Sequence, residues 1–481
     1  TDTIEFANGL QVSQVNGITC GLGPAKNSDE FYLAKVTDDL VINGNNAAIE
    51  GDPYWVTYDG FPNLEGKCPS SLEQFQATVL REAPGFLRVE PGVTVEVNDL
   101  KVTDLSALFD IRDNAALTLN RVDVRRINDW VNFCDRPAIL VAIGTADVSI
   151  TDSFFYQIQN DEPRAVGGPD KIIYWGSAIV SGAGTLKVKN TKFQFGFGAI
   201  QWSGQADIES SRFTDSGWVN AFGSGTKINI VNSVFHGRPG WDDWARIRAS
   251  GGAEINVSAS SMSIVYSNCP PFCFTGDGAL IAVTGGTINL KESALGIQQP
   301  AEPGEILRTA GGGSITADAY TWIQPVTSQS ATALRTITGQ PALLTDPPGL
   351  PDSVNGLFPS GVTPLLGTNV MPGVLIDAIA DANPGEANEL VSPINGTTIT
   401  VDALGNPRVD GNGKRNIGGV QLSLAPHLNV VGTGNATVDL SWSRPLDPDS
   451  GAINGYDLCY GSGPPPDPSL TTCVGGTMEV I

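Results

Sequence analysis

Between residues 186 and 237 one alternation of apolar and polar positions is written three times, as LKVKNTKFQF, ADIESSRFTD and INIVNSVFHG. An apolar residue (Val188, Ile208, Ile230) is followed three places on by a small hydroxyl (Thr191, Ser211, Ser233). Two places later comes phenylalanine (Phe193, Phe213, Phe235). Looser copies centre on Val97, Leu119 and Ile150 upstream and on Val257, Leu290 and Ala317 downstream. The steps between centres run from 20 residues (Val188 to Ile208) to 38 (Ile150 to Val188). Repeats with a shortest period in that range mark a solenoid whose longer steps carry insertions. Apolar residues at alternate places, as in Val95 with Val97 or Ile228 with Ile230, have the two-residue period of strands with one buried face. No segment sustains a helical period.

A second short strand is expected ahead of the centres, in ALFDI (107–111), AILVAI (138–143), SAIVS (177–181), GAIQWS (198–203) and GALIAV (278–283). Glycines such as Gly184, Gly204, Gly223 and Gly285 fall just before the ladder strand, where a tight coil needs positive-φ corners. The predicted fold is all-β: a right-handed parallel β-helix with capping segments, followed by a partial β-sandwich module. Phe155, Phe193, Phe213 and Phe235 are expected to pile into an internal column. These Phe, Ser and Thr positions are read as structural, without a chemical role.

Four regions follow from the pattern. Residues 1–85 hold an N-terminal cap (1–37) and the first coils, and 86–325 the β-helix core. Residues 326–424 are a Pro/Gly-rich segment ending in closing strands for the helix end (395–423), and 425–481 a partial module. The insertions at 125–138, 156–176, 236–246 and 263–277 come after the last residue of the phrase, so coils in register place them on one side. They carry Trp130, Tyr174, Trp175, Trp241 and Trp244, with Asp242 and Asp243 between the last two. Flat rings with a polar edge suit a glycan or a subunit contact, which makes these seven residues the candidates for binding. His236 is read as a turn residue and Arg125–Arg126 as a solvated pair.

Charge removes whole classes of partner. The balance of 28 Lys and Arg against 51 Asp and Glu, a net of −23, repels phosphate backbones and anionic lipid surfaces, so no nucleic acid partner is expected. No run of 18 apolar residues appears, and no membrane insertion is expected. The opening TDTIEF lacks a signal-peptide pattern, in keeping with a mature secreted form. With only two His, a metal site built on imidazole is close to ruled out, and no cofactor is expected. Seven cysteines without a CxxC pair favour disulfides in an oxidising extracellular space. The candidates are Cys20 with Cys68, Cys269 with Cys273 and Cys459 with Cys473, leaving Cys134 unassigned.

From LVINGNNAAIEG (40–51) through the ladder to VDALGNPRVDGNGKRNIGGVQ (401–421), the chain resembles secreted bacterial choice-of-anchor Q proteins. These are related to polymorphic outer-membrane proteins and the pectin-lyase-like superfamily. The family's closing segment, DxRGxPR followed by DIGAxE, is matched here by Asp402, Gly405, Pro407, Arg408 and then Asn416, Ile417, Gly418 and Gly419; the acidic residue of the second motif is replaced. The resemblance implies a β-helix at the cell surface and little about chemistry. Residues 425–481 resemble the first half of a fibronectin type III domain, with Trp442 as the core tryptophan and Gly455–Tyr456 opening the middle strand. The later strands of such a domain are absent: either the chain was cut, the last strands were not included, or another chain supplies them.

The hydrolase motifs of the pectin-lyase-like branch (NxD, paired Asp, GHG, RxK) are missing, and HGR at 236–238 is the nearest approach. Lyases need a calcium-binding carboxylate cluster and a base; Asp242–Asp243 with Arg246 and Arg248 would have to serve, with neighbouring carboxylates on opposite strand faces. The sequence therefore points to a non-catalytic extracellular structural or adhesive protein, a self-assembling subunit of a filament, sheath or surface layer joined through its chain ends. The alternative is a polysaccharide-binding or polysaccharide-degrading β-helix using the aromatic and acidic loops on surface glycans. NVS, NGT and NAT fit the glycosylation pattern and are read as coincidental in a bacterial chain.

Overall fold

The computed structural model describes residues 2–15, 32–51, 85–125 (except 104 and 106), 138–156, 178–216 (except 197), 219–237, 247–265, 280–298, 307–323 (except 319), 337–338, 379–419 (except 404, 406 and 410–412), 428–434, 437–442, 456–460 and 472–476. The chain divides into two units, Thr1–Gln421 and Leu422–Ile481.

The first unit is a parallel β-helix of three stacked sheets, with 12, 11 and 10 strands among the described residues. Each coil visits them in the order shown by Gly198–Trp202, Gln205–Glu209 and Arg212–Ser216. We call these the return sheet, the ladder sheet and the Phe sheet. The repeated centres stand in one register along the ladder sheet, Val97 beside Leu119, Ile150, Val188, Ile208, Ile230, Val257, Leu290 and Ala317. The column continues upstream through Ile42 to Ile4. Alternation holds strand by strand: in Thr185–Lys189, Leu186 and Val188 are buried while Lys187 is exposed. Burying a two-residue period against the two other sheets produces one continuous core.

The phrase holds two strands where one was expected. Its apolar centre lies on the ladder sheet and its phenylalanine on the Phe sheet, with a two-residue corner between them. The first corner residue has positive φ in eight successive coils: Asp99, Arg121, Asp152, Asn190, Ser210, Asn232, Ala259 and Glu292, all between 45° and 54°. None is glycine, although left-handed backbone is unfavourable for residues with a Cβ. Hydrogen bonds to the next coil offset that cost, as in Asn190 N–H to Glu209 O (3.1 Å) and Ser210 N–H to Val231 O (3.1 Å).

The second corner residue is the hydroxyl of the phrase. Ser211 Oγ accepts from Thr191 N–H (3.2 Å) and donates to Glu209 O (2.9 Å). Ser233 and Ser260 repeat both bonds on the following coils. Each hydroxyl thus satisfies a buried donor on one coil and a carbonyl on its own. Ser233→Ala is expected to cost ~1–3 kcal/mol by orphaning the Ser211 N–H, while Ser233→Thr keeps a hydroxyl at the corner, as Thr191 does in donating to Lys189 O (2.9 Å). Equilibrium denaturation of the two variants checks this; equal stabilities would show that the hydroxyl ladder contributes nothing.

Phe155, Phe193, Phe213 and Phe235 form the expected column, with centroids 5.2, 5.0 and 4.4 Å apart and planes within 10°. On the return sheet, fully buried Trp202 sits between Gly182 and Ala221, and a Cβ on Gly182 would lie 2.9 Å from its ring. At the corner before the ladder, Gly184 has φ +93°, and a Cβ there would run into the Ala146 carbonyl.

Two regional expectations change. The described parts of 1–37 are strands of a first coil in register with the rest, Asp2–Glu5, Gln11–Val15 and Tyr32–Val36, rather than a separate cap. The closing segment makes only isolated bridges, Ile379 with Arg415, Val391 with Thr398 and Val401 with Pro407. It does not lie across the helix end but along its flank, as a strap over the ladder–Phe corners of four successive coils. Leu390 and Ile399 pack on Val231 and Ala259. Ser392 Oγ donates to the Glu209 carboxylate, and Asn232 Nδ2 donates to Val401 O (2.8 Å). Buried Arg415 pairs with buried Glu292. Gly418 and Gly419 touch the corner directly: Gly419 N–H donates to Ser261 Oγ (2.8 Å), and a Cβ on Gly419 would stand 2.5 Å from Ser233 O.

Of the matched closing-motif residues, Asp402, Arg408, Asn416, Ile417, Gly418 and Gly419 form the strap's interior, while Gly405 and Pro407 are exposed. Arg408, Asn416 and Ile417 are fully buried, and Arg408 donates to Gly418 O. Burial lowers the Arg408 pKa to about 9, helped by the charge of Arg415 and opposed by Asp402 and Glu292.

In the second unit, Leu428–Gly434 pairs antiparallel with Thr437–Trp442, and Tyr456–Tyr460 with Thr472–Gly476. Leu428–Gly434 is a strand that the sequence pattern had not announced.

Candidate functional site

The three corners of a coil are unequal, and this asymmetry locates the surface available for function. Ladder-to-Phe corners from Asn98 to Ala294 take two residues and the last, after Ala317, takes four, and return-to-ladder corners are short as well. The long stretches, 16–31, 52–84, 126–137, 157–177, 238–246, 266–280 and 299–306, all leave a Phe-sheet strand and rejoin a return-sheet strand. Trp130, Tyr174, Trp175, Trp241, Asp242, Asp243 and Trp244 fall in these stretches, as do Cys20, Cys68, Cys134, Cys269 and Cys273. All twelve lie outside the described residues. Cys459 and Cys473 are direct register partners in the second unit, the strand placement that a cross-strand disulfide requires.

The outward faces beside this corner carry concentrated charge. On the return sheet, Lys35, Arg88 and Asp110 occupy one column on consecutive coils. Asp110 is fully buried and pairs with Arg112 Nη2 (2.5 Å); Arg88 Nε and Lys35 Nζ lie 3.1 and 3.4 Å from Glu90. Such a network holds adjacent coils in register, because removing one member would leave a buried charge uncompensated.

On the Phe sheet the outward column runs Asp123, Phe154, Lys192, Arg212, Val234. Beside it run Arg125, Tyr156, Gln194, Thr214 and His236. Arg125 and Lys192 each stand 5.3 Å from the Phe154 ring centre, so one ring serves two cations. Phe154 and Tyr156 are tilted neighbours at 5.8 Å. Arg125 is engaged by Asp123 (2.7 Å), which raises its pKa. Arg125 is thus an exposed residue that is also ion-paired over the ring, Arg126 lies outside the described residues, and His236 is a strand residue of Val234–Gly237 rather than a turn.

Lys192 differs from Arg125. Its ammonium is exposed, yet it stands close enough to the sheet to lose part of its water. That desolvation first, and the charge of Arg212 second, lowers its pKa. Arg212 is lowered by burial, with Asp402 pulling the other way, and its Nε donates to Ala403 O of the strap (2.6 Å). The shelf of Phe154, Tyr156, Lys192 and Gln194 therefore begins where the strap's contacts with the coils end. Its signal in the sequence was the residue just before each phrase phenylalanine, which points outward by alternation: Phe154, Lys192, Arg212.

Among the described residues no group of three or more His, Cys, Asp or Glu is placed to hold a metal ion. No family model, curated protein or solved structure matches the chain.

Proposed function

We propose that the protein is an extracellular structural or adhesive β-helix whose copies join end to end. The observation that carries this reading is the first coil. Ile4 continues the buried column of Ile42 and Val97, and Val12 that of Ile49 and Val102, yet they are 45% and 36% exposed. Among the described residues no strand pairs with the outer side of Asp2–Glu5 or Gln11–Val15. An open strand edge with uncovered apolar columns favours a further coil. The last coil of a second copy supplies the same three-sheet lattice, and head-to-tail stacking does not close on itself, so the product is a filament.

Ile4→Asp combined with Val12→Asp tests this reading. Burying each residue at a junction contributes about 1.5–3 kcal/mol, so the double variant should need a concentration at least about 100-fold higher to assemble. Sedimentation and electron microscopy of both proteins provide the measurement. A wild-type protein that remains monomeric at high concentration removes the proposal.

A second reading, glycan binding, is favoured by the collection of every long, aromatic-bearing stretch at one corner, beside the cation-bearing shelf. In that reading the solenoid is the stiff support and the loop corner the contact surface, as suits an adhesin.

A further inference from the structure

We infer that the rung from Lys192 to Arg212 is a binding subsite for a carboxylate group carried by an acidic oligosaccharide. This rests on the glycan reading rather than on assembly. Two cations occupy consecutive rungs of one outward column, at the inter-strand spacing of about 4.8 Å. Their column neighbours are Phe154 and Val234, and the next column presents Tyr156, Gln194 and Thr214, all uncharged. Among the described residues no carboxylate comes within ion-pair distance of Lys192, whereas Arg121, Arg125, Lys189, Lys227 and Arg415 each have one.

Like charges on adjacent rungs are unfavourable, and a carboxylate between them, with one oxygen toward each cation, converts that repulsion into attraction. Burial biases both groups toward losing charge, with the charge of Arg212 adding to it at Lys192 and the Asp402 carboxylate opposing it at Arg212, and a bound anion reverses that bias. Arg212 is preset for the task, because its Nε bond to Ala403 fixes the guanidinium. Gln194 stands one column over from Lys192 and offers an amide for a sugar hydroxyl, while the half-buried rings of Phe154 and Tyr156 provide an apolar floor for a pyranose face. A sugar fits this combination better than an extended acidic peptide, which would seek an open strand edge, and the strap covers the flank of the next coils. The net charge of −23 opposes long polyanions, so the shelf suits short oligomers and its affinity should fall with salt.

The test uses the full chain and calorimetric titration with a uronate oligomer, its neutral counterpart and an oligo-glutamate peptide, in wild type, Lys192→Gln and Lys192→Arg. Lys192 is exposed, so neither variant should disturb folding. The uronate oligomer is expected to bind the wild type, to lose about tenfold or more in affinity with Lys192→Gln (about 1.4 kcal/mol per tenfold), and to recover with Lys192→Arg. Equal uronate binding by wild type and Lys192→Gln overturns the subsite. A neutral oligomer that binds as well as the uronate also overturns it, while leaving the glycan reading standing. If no glycan binds, both fall. Lys192-dependent binding of oligo-glutamate in place of the uronate overturns the oligosaccharide assignment.

Discussion

Arg415→Ala is expected to cost about 3–5 kcal/mol at the strap, because it leaves the Glu292 carboxylate buried beside the coil with its main counter-charge gone. Both side chains are 1% exposed, so water cannot take over the lost partner. The strap is also held by Gly419 N–H on Ser261, Gly418 N–H on Glu292 O (2.9 Å) and the Leu390 and Ile399 contacts. The predicted result is therefore detachment beginning at the Arg415 end. Hydrogen exchange should show residues 379–419 losing protection while the core strands Thr287–Lys291 and Glu254–Ser258 keep theirs. Adding Glu292→Gln to Arg415→Ala should restore part of the loss, since a neutral amide is cheaper to bury than a lone carboxylate. Unchanged strap protection in Arg415→Ala would mean that the ion pair does not hold the strap.

Phe213→Ala should be the most damaging single truncation in the core, at about 3–5 kcal/mol. The ring is fully buried and stacked on both sides, 5.0 Å from Phe193 and 4.4 Å from Phe235, so its removal breaks two stacks and opens a cavity that flanking coils in fixed register cannot close. A solenoid's stability is a sum over neighbouring coils, and a weak central interface separates the two sides. Denaturant unfolding is thus expected to change from one transition to two, with strands upstream of residue 196 and downstream of residue 227 melting apart. Phe213→Leu, which refills most of the volume, should recover about half the loss. A cost below about 1 kcal/mol with a single transition would show that the column is incidental to stability.

Much of the solenoid was legible because its information is local and repeated. Val188, Ile208 and Ile230 announce their shared column by position within a phrase, and the Phe column followed from the same count. The third sheet was hidden because the corner that separates it from the ladder is built from Asp99, Arg121, Asn190, Ser210 and Glu292 in left-handed backbone. Residue type reveals this conformation only in part, since Asp99, Asp152, Asn190 and Asn232 tolerate it while Arg121, Ser210, Ala259 and Glu292 favour other regions. Hydrogen bonds from a neighbouring coil impose it, and those exist only once the coils are stacked.

The strap and the shelf illustrate the same limit at longer range. Ser392 meets Glu209 across 183 positions, and Arg212 meets Ala403 across 191. Nothing near 379–419 has a period, so no local pattern declares that this segment lies on the flank of the coils. Lys192 and Arg212 are 20 residues apart and become neighbours only because one coil is that long.

By itself, then, the sequence determined the repeat, its two-residue alternation and hence a coil of parallel strands, since burying one face of each strand is a demand every phrase makes alone. The tertiary structure decided the number of sheets, the place of the strap and which outward charges stand together. Those depend on contacts between distant residues, whose entropy of closure is met only by the assembled core.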